Sequence, residues 1–379
     1  MMKKKAILFI VVALLLCAAG VAVYYGVGSK KSVQTAVPPV QYVSDIISDA
    51  TAPENVLVRN FNADERSAAV FVLGSGERCG QVAEALAALD VFDNVDGSPN
   101  ADGLKDFAGE TICTLSDYTG MTASSGSVDE AVLREFTVRS VISAMDTLCH
   151  VSPYDRSGMG KKPSSKLLVL ASPVMTGCGL YDVDSLFSAL GCSLPVISPL
   201  QMLVDEAVEG VSAGEVLSVG VISSDTPAGI YASLLKKTAA RAGIDSVLCT
   251  VFKVEEGADP LIPFLDYYSS LGYDRKLSAL IVDDPGADLA GARASLSLIT
   301  SVMNEESMTY GNLVAPGFKL VESGEKVGKA VYSSLRERNV FTHYISQPRR
   351  LDYMLLPREG AQDALMLLQY NERYIPQDN

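Results

Sequence analysis

The sequence predicts an α/β protein of parallel sheets covered on both faces by helices, behind an N-terminal transmembrane anchor. Short continuous apolar runs alternate with helical patterns along most of the chain, the mark of strands buried on both faces. The runs end in Gly, Ser or Asp, so loops open at the carboxyl ends of the strands, where such sheets bind ligands. A long uncharged stretch near the N-terminus stands apart from this alternation. With 379 residues and 48% hydrophobic content there is material for one or two packed cores, and with 20% charged residues the chain is not of the disordered type.

Taken in order, Lys3-Lys4-Lys5 precede an uncharged segment from Ala6 to Gly28, followed by Lys30 and Lys31. At 1.5 Å per residue that segment makes roughly 34 Å of helix, enough to cross the hydrocarbon core. Length favours a retained anchor. A cleaved signal peptide at Ala18-Ala19-Gly20 and a lipoprotein at Cys17 are the competing readings, the second weakened by bulky Leu16. The lysine balance is a weak bias for a cytoplasmic N-terminus, which puts the main domain outside the cytoplasm. Ser29 to about Arg66, broken by Pro38-Pro39 and Ala52-Pro53, reads as a tether.

From Ser67 the pattern is strand, turn, helix. Ala68–Leu73 is an apolar run ending in Gly74-Ser75-Gly76, with a helix after it marked by Val82, Leu86 and Leu89. Thr111–Leu115 is a second strand, and Ser127-Val128-Asp129-Glu130 is a capping box opening a helix to about Thr147. Further strands are read at Leu167–Ala171, Pro195–Ile197, Leu217–Ile222, Val247–Phe252, Ala279–Val282 and Phe318–Val321. Helices are read at Leu200–Val208, at Ala228–Ala242, closed by Gly243, near Ser323 and at Ala361–Tyr370. Function is therefore to be sought in the loops opening at Gly74, Ser116, Ser172, Ser223 and Asp283.

The formal charge of −14 disfavours nucleic acid and anionic lipid surfaces, both of which need Lys and Arg against phosphate. An anionic ligand needs a local basic or backbone N–H site against that field. Seven cysteines show no CxxC or CxxH pair and only His150 and His343 exist, so no spacing supports a metal site. Cys113, Cys192 and Cys249 sit in apolar runs and read as buried free thiols. Cys79, at a helix start, invites a thiolate stabilised by the helix dipole, but no His or second Cys lies nearby in sequence and an inert role is favoured.

Four stretches together resemble glutamate racemases of the aspartate/glutamate racemase superfamily. Leu320–Lys329 resembles the family's strand-to-helix turn LIDSGEAVAR, with His343–Ser346 similar to its closing strand. Ser116–Glu130 aligns with GDTARFPYGTKSPEE. Leu168–Ser172 with Pro195–Ile197 resembles LVIACNTAS and IPVI, and Val219–Ser224 resembles IGVIGT. The similarity spans about residues 67 to 350, in the family's order. It implies two Rossmann-like parallel-sheet domains facing a central cleft: 67–198 with 319–358 as a discontinuous first domain, 199–318 as the second, then a terminal helix and tail at 359–379. It also implies a cofactor-free two-base reaction in which one cysteine thiolate takes the α-proton of glutamate and a second thiol returns one to the opposite face.

Against that pattern, the first cysteine matches Ser172 and the second matches Asp284. The Asn and Thr after the first become Pro173 and Val174, the DSG turn becomes Gly74-Ser75-Gly76, PYG becomes Thr122-Ala123-Ser124, and CTHYP becomes Asp284-Pro285-Gly286-Ala287-Asp288. A serine hydroxyl is no base at neutral pH without an activating partner. The expectation is a membrane-anchored protein that has lost two-cysteine racemisation, with Ser172 and Asp284 at the former catalytic positions and Ser75, Gly76, Thr122, Ser124, Ser172, Pro173, Asp284 and Pro285 lining a site for a small carboxylate or cell-wall fragment. No cofactor is expected, and a homodimer or protein partner is a further expectation. The alternatives are an active superfamily enzyme using Asp284 or Cys178 with Ser172, and a type I periplasmic ligand-binding protein. Asp283-Asp284 itself reads either as an acid/base pair or as an ordinary Asp-Pro-Gly turn.

Overall fold

The computed structural model describes residues 38–154, 158–212, 214–224, 226–284, 286–301, 310–342, 349–357 and 365–374. Two short helices come first, α1 (Gln41–Ser48) and α2 (Pro53–Arg59). The strand-and-helix alternation follows: β1 (Ala69–Gly74), α3 (Gly76–Ala88), β2 (Thr111–Asp117) and α4 (Glu130–Met145). Next are a hairpin of β3 (Leu148–His150) and β4 (Met159–Lys161), then β5 (Ser165–Leu170), α5 (Leu180–Leu190) and β6 (Val196–Ile197). The chain then makes α6 (Pro199–Val208), β7 (Val216–Ile222), α7 (Ala228–Arg241), β8 (Ser246–Phe252) and α8 (Leu261–Ser270). It closes with β9 (Leu277–Val282), α9 (Leu289–Ser301), β10 (Val314–Glu322), α10 (Lys326–Glu337), β11 (Arg349–Pro357) and β12 (Leu365–Tyr374).

Among the described residues the strands form two sheets. The larger has the order β4-β3-β12-β11-β2-β1-β5-β6 and the smaller β10-β9-β7-β8, the latter parallel throughout. Every residue of β1 and β5 is buried, as continuous Val/Leu/Phe runs require between two helical layers. Helix starts follow local chemistry. Asp129 caps α4 by accepting from Ala131 N at 2.7 Å, and Ser198 caps α6 by accepting from Gln201 N at 3.1 Å, with Pro199 behind it. The cap of α4 is thus Asp129 itself, with Ser125–Ser127 in a separate 3₁₀ turn.

The mixed α/β class with parallel sheets holds, and four expectations need correction. The tether is not loose over residues 41–59. Helix α1 buries Val43 and Ile46 at helical spacing and α2 buries Val58, all in one core cluster with Phe71, Leu115 and Leu186. Val40 N donates to the fully buried Asp182 Oδ1 at 2.8 Å, and Arg134 grips the same carboxylate through Nε (2.7 Å) and Nη2 (2.9 Å). Second, residues 319–322 belong to the smaller sheet, because β10 pairs with β9 from Lys319↔Ala279 to Glu322↔Val282. The return to the larger lobe falls at Ser323–Glu325, after which α10 packs Val331 and Leu335 against Val70 and Val169. Third, residues 365–370 are strand rather than helix, paired antiparallel with β11 from Leu365↔Pro357 onward. Fourth, the β3–β4 hairpin widens the larger sheet between α4 and β5, where no strand is read from the sequence. The anchor segment (1–28), the tether to residue 37 and the strand read at His343–Ser346 lie outside the described residues. No described helix is long and apolar enough to cross a membrane. Pro39–Asn379 is one compact unit.

Candidate functional site

The carboxyl ends of β1 and β5 meet closely. A Cβ added to Gly74 would stand 3.0 Å from Ser172 N, so glycine is needed there. Ser172 is only 3% exposed. Its Oγ accepts from Met175 N at 3.4 Å, and its carbonyl accepts from Thr176 N (3.1 Å) and Thr176 Oγ1 (3.2 Å). Thr176 Oγ1 in turn lies 2.7 Å from Ser198 Oγ. Ser172 therefore starts the helix that follows β5, and Pro173 is buried beside it.

That helix begins with a π-helical turn, Met175–Gly179, of the kind an inserted residue produces. The turn fills the gap between α4 and α7. A Cβ on Gly177 would meet Ile230 Cγ2 at 2.5 Å, and one on Gly179 would strike Thr137. Cys178 is buried with Leu133 and Val174, against Ile230. Burial pushes its thiol up to about 11. Cys79 is wholly buried, its Sγ donating to Val72 O at 3.4 Å, and burial pushes this thiol up to about 12. Neither is a thiolate at neutral pH, and the helix-dipole stabilisation considered for Cys79 is overcome by desolvation.

Across from Ser172, β9 ends in Asp283 and Asp284. Asp283 bridges the lobes: Arg78 Nη1, on α3 of the larger lobe, lies 3.0 Å from its Oδ1, and Arg78 Nη2 donates to its carbonyl at 3.1 Å. The two side chains are 12% and 10% exposed, so the pair is nearly dry. Tyr231 OH donates to Asp283 Oδ2 at 2.6 Å and sits 2.8 Å from Ser223 Oγ. Burial, then the Asp283 charge, raises the Tyr231 pKa. Asp284 is half-buried and its Oδ1 accepts from Gly286 N at 3.0 Å, an Asx turn. Of the two readings of this dipeptide, the local geometry is that of the turn.

Between the lobes lies a cavity of about 440 Å³, bounded by the ends of β5, β9 and β10 and by one face of α3. Its walls are mainly apolar, from Val82, Leu86, Leu89, Ala171 and Leu289, with Arg78, Asp283, Asp284, Glu322 and Glu325 as the charged groups. Of the candidate residues, Asp284 reaches this cavity. Ser172 and Pro173 are buried and do not line it, nor do Ser75 or Gly76. Thr122 is tied to Asp117, its N and Oγ1 each donating to Oδ2 at 2.8 Å, while Ser124 is exposed and its carbonyl accepts from Ser127 N. Pro285 lies outside the described residues. Sequence reasoning missed Arg78, Tyr231 and Glu322 as site residues. Glu322 falls inside the strand-to-helix motif, whereas the Arg78 partner is 205 positions away and leaves no local signal. Among the described residues no group of three or more His, Cys, Asp or Glu is placed to hold a metal ion.

No family model matches the chain, and no curated protein matches it. Among solved structures the chain is similar to glutamate racemase from Francisella tularensis in complex with D-glutamate, at 15% identity over 76% of this chain and 88% of that one, with a TM-score of 0.43. A glutamate racemase from Bacillus anthracis matches at 13% identity over 76% and 89% of the two chains, with a TM-score of 0.41. The enzyme from Campylobacter jejuni matches at 14% over 75% and 91%, with a TM-score of 0.38.

Proposed function

We propose that this chain is a binding protein built on a racemase scaffold, that it has lost two-cysteine racemisation, and that the interlobe cavity holds its ligand. The observation that carries this reading is the state of position 172. A general base must first reach its proton and then have a suitable pKa. Ser172 meets neither condition, being 3% exposed and spent on capping the helix after β5. The nearest thiol in sequence, Cys178, is buried and pushed up to about 11, which speaks against a relocated nucleophile. The Arg78–Asp283 bridge and the turn packed on Ile230 hold the lobes together on either side of the former reaction centre. On this reading the order of the four sequence stretches reflects common ancestry, and the reactive positions have been reused for packing and turns.

The reading includes the N-terminal segment Ala6–Gly28 as an anchor, with the folded unit outside the cytoplasm. It rests there on length and on the lysines before the segment. A small carboxylate, the ligand the ancestry suggests, finds little to pair with in the cavity, because the guanidinium on its wall, Arg78, is committed to Asp283.

The test is proton NMR of the full-length chain in D₂O with L- and D-glutamate and L- and D-aspartate. The expected result is α-proton exchange no faster than in a protein-free control. Exchange above that control, lost on Asp284→Asn or Cys178→Ala, would overturn the proposal and leave an active enzyme with relocated groups.

A further inference from the structure

We infer that the interlobe cavity is selective for a small molecule bearing a primary ammonium or guanidinium group on an apolar body, the cation paired with Asp284. This rests on the reading of the cavity as a binding site and adds the charge and shape of its ligand.

Size and wall chemistry come first. A volume of about 440 Å³ lies within the usual range for small-molecule sites. Val82, Leu86, Leu89, Leu289 and Val327 supply apolar surface on several sides, from α3, α9 and α10. At about 25 cal/mol per Å² such walls favour an apolar body, with polar groups deciding its orientation.

The charges then fix the sign. Four carboxylates line the cavity against one guanidinium. Asp283 is already compensated, since Arg78 and Tyr231 occupy both its oxygens. Glu325 pairs with Lys329 at 2.9 Å on the exposed rim, where such a pair contributes little. Glu322 contacts Arg293 through Oε1, that arginine side chain being 63% exposed, and Glu322 Oε2 is buried with no hydrogen-bond partner among the described residues. Among the described residues the Asp284 carboxylate accepts from Gly286 N and pairs with no cation. A half-buried carboxylate with no cation beside it among the described residues, set against apolar walls, is a place where a bound cation gains and a bound anion loses. Charge-assisted hydrogen bonds in such partly desolvated surroundings are about twice as strong as neutral ones.

The experiment compares two probes of equal shape and opposite charge, phenethylammonium and 3-phenylpropionate, titrated into the full-length chain. Calorimetry gives affinity, and methyl NMR shifts of Val82, Leu89, Leu289 and Val327 give location. The expected result is an ammonium affinity at least about tenfold tighter, with shifts at those methyls and weakening as salt rises. Asp284→Asn, which can still accept from Gly286 N, lowers ammonium affinity about tenfold and strengthens rather than weakens binding of the carboxylate probe. Preference for 3-phenylpropionate at the same methyls, or an Asp284→Asn variant that binds ammonium as well as the parent, overturns the charge assignment and leaves the cavity as a binding site. No methyl shift with either probe overturns both. Exchange of the glutamate α-proton overturns the loss of racemase chemistry and leaves the charge preference standing.

Discussion

Replacing Asp283 by alanine removes the acceptor on which Arg78 and Tyr231 converge from opposite lobes. Arg78, whose side chain is 12% exposed, then loses its ion pair with Asp283. Breaking a buried pair by removing one partner costs about 3–5 kcal/mol, and the residual exposure here points to the lower end. Tyr231 keeps its contact with Ser223, so its share is small. The expected loss is about 3 kcal/mol. With an unfolding entropy of about 2.1 cal/mol/K per residue, a unit of about 340 residues changes by about 0.7 kcal/mol per degree, so Tm falls by about 4 °C. Calorimetric melts of the parent, Asp283→Ala, Arg78→Met and the double variant make a double-mutant cycle, and the double variant should recover at least about 1.5 kcal/mol relative to the sum of the singles. A Tm within 1 °C of the parent for Asp283→Ala, or simple additivity in the cycle, would refute the claim that this pair locks the lobes.

Two further predictions concern Lys162 and Asp182. Lys162 is buried, donates to Ala144 O at 2.9 Å and stands 4.6 Å above the Phe71 ring, and burial pulls its pKa down to about 8. Its folded pKa lies below the unfolded value of about 10.5, so between those limits the unfolded chain binds more protons and stability rises with pH, by at most about 3 kcal/mol. Guanidinium melts at pH 7.5 and 10 should show the parent gaining about 2 kcal/mol relative to Lys162→Met, because the buried thiols that oppose the rise are common to both. Asp182→Ala should cost about 3 kcal/mol by removing the carboxylate that Arg134 and the Val40 N–H share, and hydrogen exchange should quicken in residues 41–59 while β1 keeps its protection. Equal protection in both variants would detach α1 and α2 from the Asp182 latch.

The parts of the fold legible in the sequence are those whose burial is decided locally. β1, β5, β7 and β9 are mainly apolar runs, and Asp129 and Ser198 announce their helices by side-chain chemistry. Helices α1 and α2 escape because each is about two turns long, too short for a periodic signal. Their stability comes from Val43, Ile46 and Val58 docking on α4 and α5. The segment Leu365–Leu368 is an apolar run that periodicity cannot assign to helix or strand, and pairing with β11 decides it. At the site, the strand end carrying Asp284 is legible, but the sealing of Ser172 is not. That depends on the close approach of Gly74 to Ser172 N, which arises only when β1 and β5 pair. The Arg78–Asp283 bridge likewise joins residues with no local pattern between them.

The most direct test of the account is to return thiols to both former positions, in a Ser172→Cys, Asp284→Cys double variant that keeps the parent's circular dichroism and Tm within a few degrees, and to follow α-proton exchange of glutamate in D₂O. The account predicts no exchange above the protein-free control, because residue 172 faces the start of its own helix and not the cavity. Exchange restored by the two thiols would contradict it, and would mean that only side-chain identity, not the closure of the cleft, separates this chain from a working racemase.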